Sequence, residues 1–150
     1  MNDTIVVDAS VAFKWVLREE LSDVAQALLF ESAPRRIVGP PHLETEVTNA
    51  IYQRLRRQGS GISPDEGQRA LQAFLHLGVE FMSFPDLHPR AFHFAQAHSL
   101  SSVYDALYVV LAEMLGAELW TDDRRLLRDV RSLAPWVRWI GEYPWPESAG

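Results

Sequence analysis

The feature that most constrains this chain is its first apolar run, residues 4–7, which leads directly into Asp8 and Ser10. The run is entirely β-branched and does not alternate polar with apolar side chains, which is typical of a strand buried on both faces in a parallel sheet. In open α/β sheets, ligands bind beyond the carboxyl ends of the strands. Asp8 stands at such an end, although an aspartate there also commonly caps the next helix.

Strand-like and helical segments alternate along the rest of the chain. Further strands are predicted at residues 37–39, 79–84, 117–120 and 136–140, and helical periodicity fills most of the intervals. Residues 103–115 are apolar nearly all round, which predicts a buried helix. The alternation predicts one α/β domain over residues 1–150, a three-layer α/β/α arrangement with a mainly parallel sheet of about five strands flanked by helices. A short tail is expected from about residue 143.

Composition excludes several classes of function. The chain of 150 residues has a net charge of −6 and no cysteine, so thiolate catalysis, disulfides and zinc–thiolate sites are excluded. The negative charge removes bulk attraction to nucleic acid, so any such binding needs a local basic patch. The start of the chain lacks the pattern of a signal peptide, and no apolar run is long enough to cross a bilayer. We therefore expect a cytoplasmic protein with no membrane partner.

Four acidic residues are candidates for chemistry: Asp8, Glu46, Asp105 and Asp123. Asp8 and Asp123 each follow a predicted strand, and Asp105 opens a predicted helix, which places all three at one edge of a parallel sheet. Each also has an ordinary structural explanation. Asp105 complements a helix dipole, Asp123 or its neighbour Asp122 caps a helix, and Glu46 is a solvated helix residue. Convergence of the set favours a functional site.

Carboxylates gathered in one cleft repel each other unless a cation neutralises them. Oxygen-only ligands select hard ions such as Mg²⁺, with Mn²⁺ as a substitute, and Mg²⁺ bound by few carboxylates is suited to phosphodiester cleavage. Ser10 and Thr121 stand two residues from Asp8 and Asp123, where their hydroxyls can support these acids. Asn49 lies one helical turn past Glu46 and faces the same way.

Four motifs carry a resemblance to a known family. They are Val7-Asp8-Ala9-Ser10-Val11, Pro41-His42-Leu43-Glu44-Thr45-Glu46-Val47-Thr48-Asn49-Ala50, Tyr104-Asp105-Ala106-Leu107-Tyr108 and Leu119-Trp120-Thr121-Asp122-Asp123-Arg124-Arg125-Leu126. In order and spacing they resemble the signatures of the PIN-domain family, most closely the VapC toxins of bacterial type II toxin–antitoxin pairs. Each motif alone is weak, but four in order are specific.

The resemblance implies a magnesium-dependent endoribonuclease that hydrolyses RNA with a metal-activated water. Asp8, Glu46, Asp105 and Asp123 match the family's acidic quartet as metal ligands and catalytic residues. Asp122 occupies a variable position, as an accessory acid or with no role, and Ser10 and Asn49 match accessory polar positions. A VapB-type antitoxin that blocks the cleft and a homodimer are also implied.

Several basic residues are candidate contacts for RNA phosphates. Lys14, Arg124 and Arg125 are candidates, with solvated helix surfaces as the alternative. Arg54, Arg56 and Arg57, at the end of the Glu46 helix, either hold phosphates or complement the helix dipole. The five histidines, including His93 and His98, are interpreted as packing or surface residues.

Two other classes of function are alternatives to the nuclease. A non-catalytic PIN-fold module that binds protein or RNA stays open, although the four acids argue against it. A receiver-like domain also has aspartates at strand ends, but it needs a lysine after a late strand. The only lysine of this chain is Lys14.

Overall fold

The computed structural model describes residues 3–30, 35–59 and 61–144, which contain a five-stranded sheet. Its strands are β1 (Thr4–Val7), β2 (Arg36–Gly39), β3 (Glu80–Phe81), β4 (Glu118–Thr121) and β5 (Val137–Trp139). Their order is β3-β2-β1-β4-β5, and every neighbouring pair is parallel. The predicted parallel sheet is confirmed, and the first apolar run is its central strand.

Seven helices in the described residues flank this sheet. They are α1 (Ala9–Val16), α2 (Ser22–Phe30), α3 (His42–Arg56), α4 (Pro64–Leu75), α5 (Leu87–Ala97), α6 (Val103–Leu115) and α7 (Arg124–Val130). Helix α1 packs against α2, α3 and α4, whereas α6 packs against α5 and β1. All four residues of β1 are buried, as the absence of alternation predicted. The α/β/α fold expected from the sequence is confirmed.

The ends of the helices follow local chemistry. The Asp8 side chain caps α1 by accepting hydrogen bonds from the backbone N–H groups of Ser10 and Val11. Ser63 caps α4 in the same way through the N–H of Glu66. Gly116 ends α6 with φ of 62°, a left-handed conformation that glycine adopts without strain. The next residues can then turn directly into β4, which carries Thr121 to the edge of the sheet.

Several element boundaries differ from the prediction. Of the strand expected at residues 79–84, only β3 pairs, because its neighbour β2 ends before Pro40, which has no N–H to donate. Strand β5 is shorter than residues 136–140 and runs into a 3-10 turn at Ile140–Glu142. Most of the tail expected from about residue 143 lies outside the described residues. Tyr143 still belongs to the fold, since its ring packs edge-on against Trp120 at 5.5 Å.

The core lies on both sides of β1, and α6 contributes much of it. Every α6 residue from Ala106 to Ala112 is buried, as expected for a helix that is apolar nearly all round. On α3, Leu43, Val47 and Ile51 are buried, and this face anchors the helix that carries Glu46. In the described part of the chain, no helix has the length and apolar character needed to cross a membrane.

Truncation of the α3 anchor is expected to destabilise the protein. Leu43 is 0% exposed, so Leu43→Ala should lower the free energy of unfolding by about 2–5 kcal/mol through lost burial and a residual cavity. Leu75→Ala is a matched control because Leu75 is 43% exposed, and it should cost less than about 1 kcal/mol. Urea unfolding measures both. Equal losses for the two variants would contradict the assignment of Leu43 to the core.

Candidate active site

The Asp8 carboxylate lies at the carboxyl end of β1, buried beneath two hydroxyl side chains. Ser10 Oγ donates to Asp8 Oδ1 at 2.5 Å, and Thr121 Oγ1 donates to Asp8 Oδ2. Thr121 is wholly buried at the end of β4, the strand paired with β1. The neighbouring strands therefore deliver an acid and its hydrogen-bond donor to the same point, as expected for ends of parallel strands.

The same hydroxyls also receive backbone donors from the turn between β4 and α7. The N–H of Asp122 donates to Ser10 Oγ at 2.8 Å, and the N–H of Asp123 donates to Thr121 Oγ1 at 2.9 Å. Each hydroxyl thus accepts from this turn and donates to Asp8. The predicted supporting role of Ser10 and Thr121 has a geometric basis in these contacts, since they couple Asp8 to the position of Asp123.

Burial makes the ionised form of Asp8 costly. Desolvation raises the pKa of Asp8 from 3.8 to about 6, although hydrogen bonds from Ser10, Thr121 and the Val11 N–H favour the carboxylate. The negative charge of Asp123 adds to the increase. Asp8 is therefore both the cap of α1 and an acid that is disfavoured as an anion by its surroundings, so the two sequence interpretations are compatible.

Asp123 lies close enough to Asp105 for its charge to act on that carboxyl group. Burial, followed by the charges of Asp123 and Glu46, raises the pKa of Asp105, while Arg125 opposes the increase. Asp123 Oδ1 caps α7 by accepting from the N–H groups of Arg125 and Leu126, both at 3.1 Å. Among the described residues, nothing donates a hydrogen bond to Asp105. Asp105 is thus the member of the set whose carboxylate oxygens are left free for a ligand.

Glu46 is held from two sides. Tyr108 on α6 donates its hydroxyl to Glu46 Oε1 at 2.6 Å, and His42 Nε2 lies 3.1 Å from the same oxygen. The His42 contact does not have the geometry of a hydrogen bond, and Nε2 is buried without another hydrogen-bond partner among the described residues. Burial alone would raise the pKa of Glu46, but these two neighbours lower it. The pKa of Glu46 is therefore shifted in the opposite direction from those of Asp8 and Asp105.

Asp122 is directed away from the other acids. Its Oδ2 lies 3.0 Å from Lys14 Nζ, and its Oδ1 accepts from Trp139 Nε1 on β5 at 2.8 Å. Lys14 also donates to Glu19 Oε1 and to the carbonyl of Glu20, each at 2.8 Å. Burial lowers the pKa of Lys14, but the bonds to Glu19 and Asp122 outweigh it and raise the pKa overall. Lys14, Asp122 and Trp139 thus connect α1, the β4–α7 turn and β5.

The predicted RNA contacts Lys14, Arg124 and Arg125 all have partners within the protein. Lys14 is 4% exposed, so its interpretation as a solvated helix residue is wrong. Its ammonium group contacts Glu19, Asp122 and the carbonyl of Glu20, so a phosphate would have to displace one of these partners. The Arg124 guanidinium stacks 4.8 Å from the centre of the Trp139 ring. Arg125 donates to Ser101 Oγ at 3.1 Å and acts electrostatically on Asp105. Asn49 is exposed, and its nearest described bond is a long one of 3.5 Å from Gln53.

The chemistry of the donors suits a hard divalent cation, but the side chains are not gathered around one point. Within residues 3–30, 35–59 and 61–144, no three His, Asp or Glu side chains form a cluster that could hold a metal as they stand. Carboxylate oxygens are the ligands that Mg²⁺ prefers, and a cation would stabilise the charged forms of Asp8 and Asp105, whose pKa is raised by burial and by neighbouring acids. Ligation therefore requires side-chain movement, and Asp105 has no hydrogen bond among the described residues to break.

Comparison with known proteins gives this geometry a family. A model of the PIN domain matches residues 5–132, which include all four acids. The chain belongs to the PIN-domain family. A solved structure, PAE2754 from Pyrobaculum aerophilum, superposes on this PIN domain with a TM-score of 0.62 over 92% of each chain at 22% identity, which supports the fold.

Named relatives of this PIN domain cover most of its length. Ribonuclease VapC12 from Mycobacterium tuberculosis is 36% identical over 123 residues, 81% of this chain and 88% of the relative. Ribonuclease VapC9 from the same species is 35% identical over 81% of this chain and 87% of its own. Ribonuclease VapC3 from Pyrobaculum aerophilum is 32% identical over 81% of this chain and 91% of its own. The similarity to VapC proteins expected from the motifs is confirmed.

Three residues that contact the acids of this PIN domain were not identified from the sequence. His42 stands four residues before Glu46, so helical spacing on α3 indicates their contact. Tyr108 lies one turn after Asp105 on α6, but its bond to Glu46 joins two helices distant in the chain. The indole of Trp139 reaches Asp122 from β5, and only the order of strands in the sheet reveals that proximity.

Neutralising Asp8 should stabilise the metal-free protein at neutral pH. The folded state keeps a proton on Asp8 up to about pH 6, whereas the unfolded chain loses it near 3.8, so stability falls as the pH rises between these values. Asp8→Asn should therefore raise the free energy of unfolding by about 1–3 kcal/mol at pH 7.5 and by much less at pH 4. Urea unfolding with EDTA at both pH values measures this. A variant less stable than wild type at pH 7.5 would contradict the assigned cost of burial.

The ion pair between Lys14 and Asp122 should be strongly coupled. Lys14→Met leaves a partly buried carboxylate without its cation, so a double-mutant cycle with Asp122→Asn should give a coupling energy of about 1–3 kcal/mol. Arg18 and Asp23 form a control pair because they are 71% and 59% exposed, and their cycle should give less than about 1 kcal/mol. Chemical denaturation supplies all the values. Additive losses at Lys14 and Asp122 would refute the coupling.

Proposed function

We propose that this chain is an endoribonuclease that depends on Mg²⁺, with Mn²⁺ as a substitute. The observation that carries the proposal is the buried Asp8 carboxylate at the carboxyl end of β1, which Thr121 joins to the turn that carries Asp123. Burial and the charge of Asp123 raise the pKa of both Asp8 and Asp105, and Glu46 adds to the increase at Asp105. A divalent cation stabilises the charged forms of acids in such surroundings. The ribonuclease names of relatives at 32–36% identity support RNA as the substrate.

The residues of the chain have distinct parts in this proposal. Asp8, Glu46, Asp105 and Asp123 would hold the ion, and a bound divalent cation supplies an activated water and stabilises charge on phosphate oxygens. Ser10 and Thr121 fix the orientation of Asp8, as Tyr108 fixes that of Glu46. The Arg125 guanidinium, near Asp105, is available to a substrate phosphate. Asp122 has a supporting part: its backbone N–H donates to Ser10 Oγ, and its carboxylate pairs with Lys14.

We also propose that the protein is the toxin of a toxin–antitoxin pair, inhibited by a VapB-type antitoxin, and that it acts in the cytoplasm as a homodimer. The VapC names of its relatives support the first part. Exposed apolar side chains offer surface for protein contacts, with Phe92 and Tyr104 exposed by 66% and 57%. Light scattering of the purified chain, alone and with the product of any adjacent small gene, measures both assemblies.

A non-catalytic interaction module is the second candidate. The observation in its favour is that no three acids of the described chain are gathered to bind a metal, and that both Asp8 oxygens already accept hydrogen bonds. Calorimetric titration with Mn²⁺ distinguishes the two candidates. Binding that is lost in Asp105→Asn supports the nuclease, whereas no binding by the wild type supports the module.

The roles of the adjacent acids Asp122 and Asp123 should separate in an RNA cleavage assay. Asp123→Asn removes a charge that acts on Asp8 and Asp105, so cleavage should fall by more than about 100-fold. Asp122→Asn disturbs only supporting contacts, so its loss should stay at about 10-fold or less.

Two controls accompany this assay. Asp86→Asn should leave activity unchanged, because Asp86 is exposed and its side chain makes no capping bond. EDTA should abolish cleavage by the wild type, and added Mg²⁺ should restore it. Full activity of Asp123→Asn, or cleavage that persists in EDTA, would refute the proposed mechanism.

A further inference from the structure

A basic cavity of about 680 Å³ opens beside the acid site, next to α1 and the end of α3. Ser10 and Phe13 line it from α1, and Arg54, Arg56 and Arg57 line it from α3 and the residue that follows. Since Ser10 Oγ also donates to Asp8 Oδ1, the cavity and the acid site share a wall. Three guanidinium groups around one cavity are notable in a chain with a net charge of −6.

The positive charge of this cavity is not neutralised by its own lining. Glu19 is the acidic residue in the lining, but Lys14 Nζ already lies 2.8 Å from its Oε1. Arg54 Nη1 is 3.9 Å from Glu19 Oε2, a contact at the limit of an ion pair. Among the described residues, neither Arg56 nor Arg57 forms an ion pair. The cavity therefore presents an excess of positive charge to solvent.

Arg54 has a side-chain donor without a hydrogen-bond partner among the described residues. Its guanidinium lies over the Phe13 ring at 5.9 Å, and its Nε is buried without a hydrogen-bond partner. A buried N–H without a partner costs free energy unless a ligand or water satisfies it. Interaction with the dipole at the end of α3 explains an exposed arginine there, but it does not explain a half-buried Arg54 whose Nε is buried without a partner.

We propose that this cavity binds a backbone phosphate of the RNA strand next to the one that is cleaved. The inference rests on the proposed ribonuclease function and assigns a second contact for that substrate. Guanidinium groups bind phosphate oxygens through paired, charge-assisted hydrogen bonds, and such contacts position a strand without reading its sequence. Arg54, Arg56 and Arg57 form this phosphate subsite, and the shared wall at Ser10 directs the strand from the subsite to Asp8.

Binding of RNA in the absence of metal tests the inference separately from cleavage. The full-length protein in EDTA is titrated into a short fluorescein-labelled RNA of mixed sequence, and anisotropy is followed over a range of salt concentrations. The double variant Arg56→Gln and Arg57→Gln should bind about 10-fold more weakly, and the slope of log affinity against log salt should fall by about 0.7 for each arginine. Both side chains are exposed, so the variant should fold normally.

Two further variants sharpen this test. Arg69→Gln is the control, because Arg69 is exposed on α4 outside the cavity and its loss changes the net charge as much as either single substitution of the double variant. It should leave the affinity and the slope within about twofold of wild type. Arg54→Lys keeps the charge but removes Nε, and it should weaken RNA binding while the salt slope stays nearly constant.

The outcomes separate this inference from the proposed function. Wild-type affinity and slope in the double variant overturn the subsite, while Mg²⁺-dependent cleavage by the same preparation leaves the ribonuclease function standing. If the double variant keeps its affinity for RNA but loses affinity for a glutamate-rich peptide, the cavity is a peptide site and the inference is overturned. Wild type that binds RNA through the three arginines but never cleaves it supports the subsite and refutes the nuclease.

Discussion

A carboxylate buried at the end of the central strand has to be surrounded by hydrogen-bond donors, because desolvation alone makes its charged form costly. Asp8 meets this requirement with donors from two elements, Ser10 on α1 and Thr121 on β4. The parallel pairing of β1 with β4 brings the strands' carboxyl ends together, and the rest of the site depends on that meeting. The remaining cost, visible in the raised pKa, is the property that a cation would relieve.

The last residue of β4 and the two residues that follow it have side chains directed to different partners. Thr121 turns inward to Asp8, Asp122 turns to Lys14 and Trp139, and Asp123 caps α7 while its charge acts on Asp8 and Asp105. Thr121 ends β4, and Asp122 and Asp123 belong to the turn that follows, so their side chains point in different directions. Adjacent acids that look equivalent in the sequence therefore have unequal parts in the site.

Patterns that are local in the chain predicted the central strand, the parallel sheet and the buried helix α6. The burial of Lys14 was not predictable, because it depends on contacts with Glu19 and Asp122, which lie outside α1. The short pairing of β3 likewise depends on the prolines after its neighbour β2, and not on its own apolar residues. The contact of Tyr108 with Glu46 joins α6 to α3, and helical periodicity carries no information about that distance.

The link between Lys14 and Asp122 has a consequence for how such chains diverge. A variant that lost the lysine would keep a carboxylate in a sheltered position, and one that lost the acid would keep a sheltered ammonium with a weaker counter-charge. Either intermediate is less stable than both end points, a chain with the pair and a chain with two apolar residues. Positions 14 and 122 are therefore expected to change together during evolution, although they lie far apart in the chain.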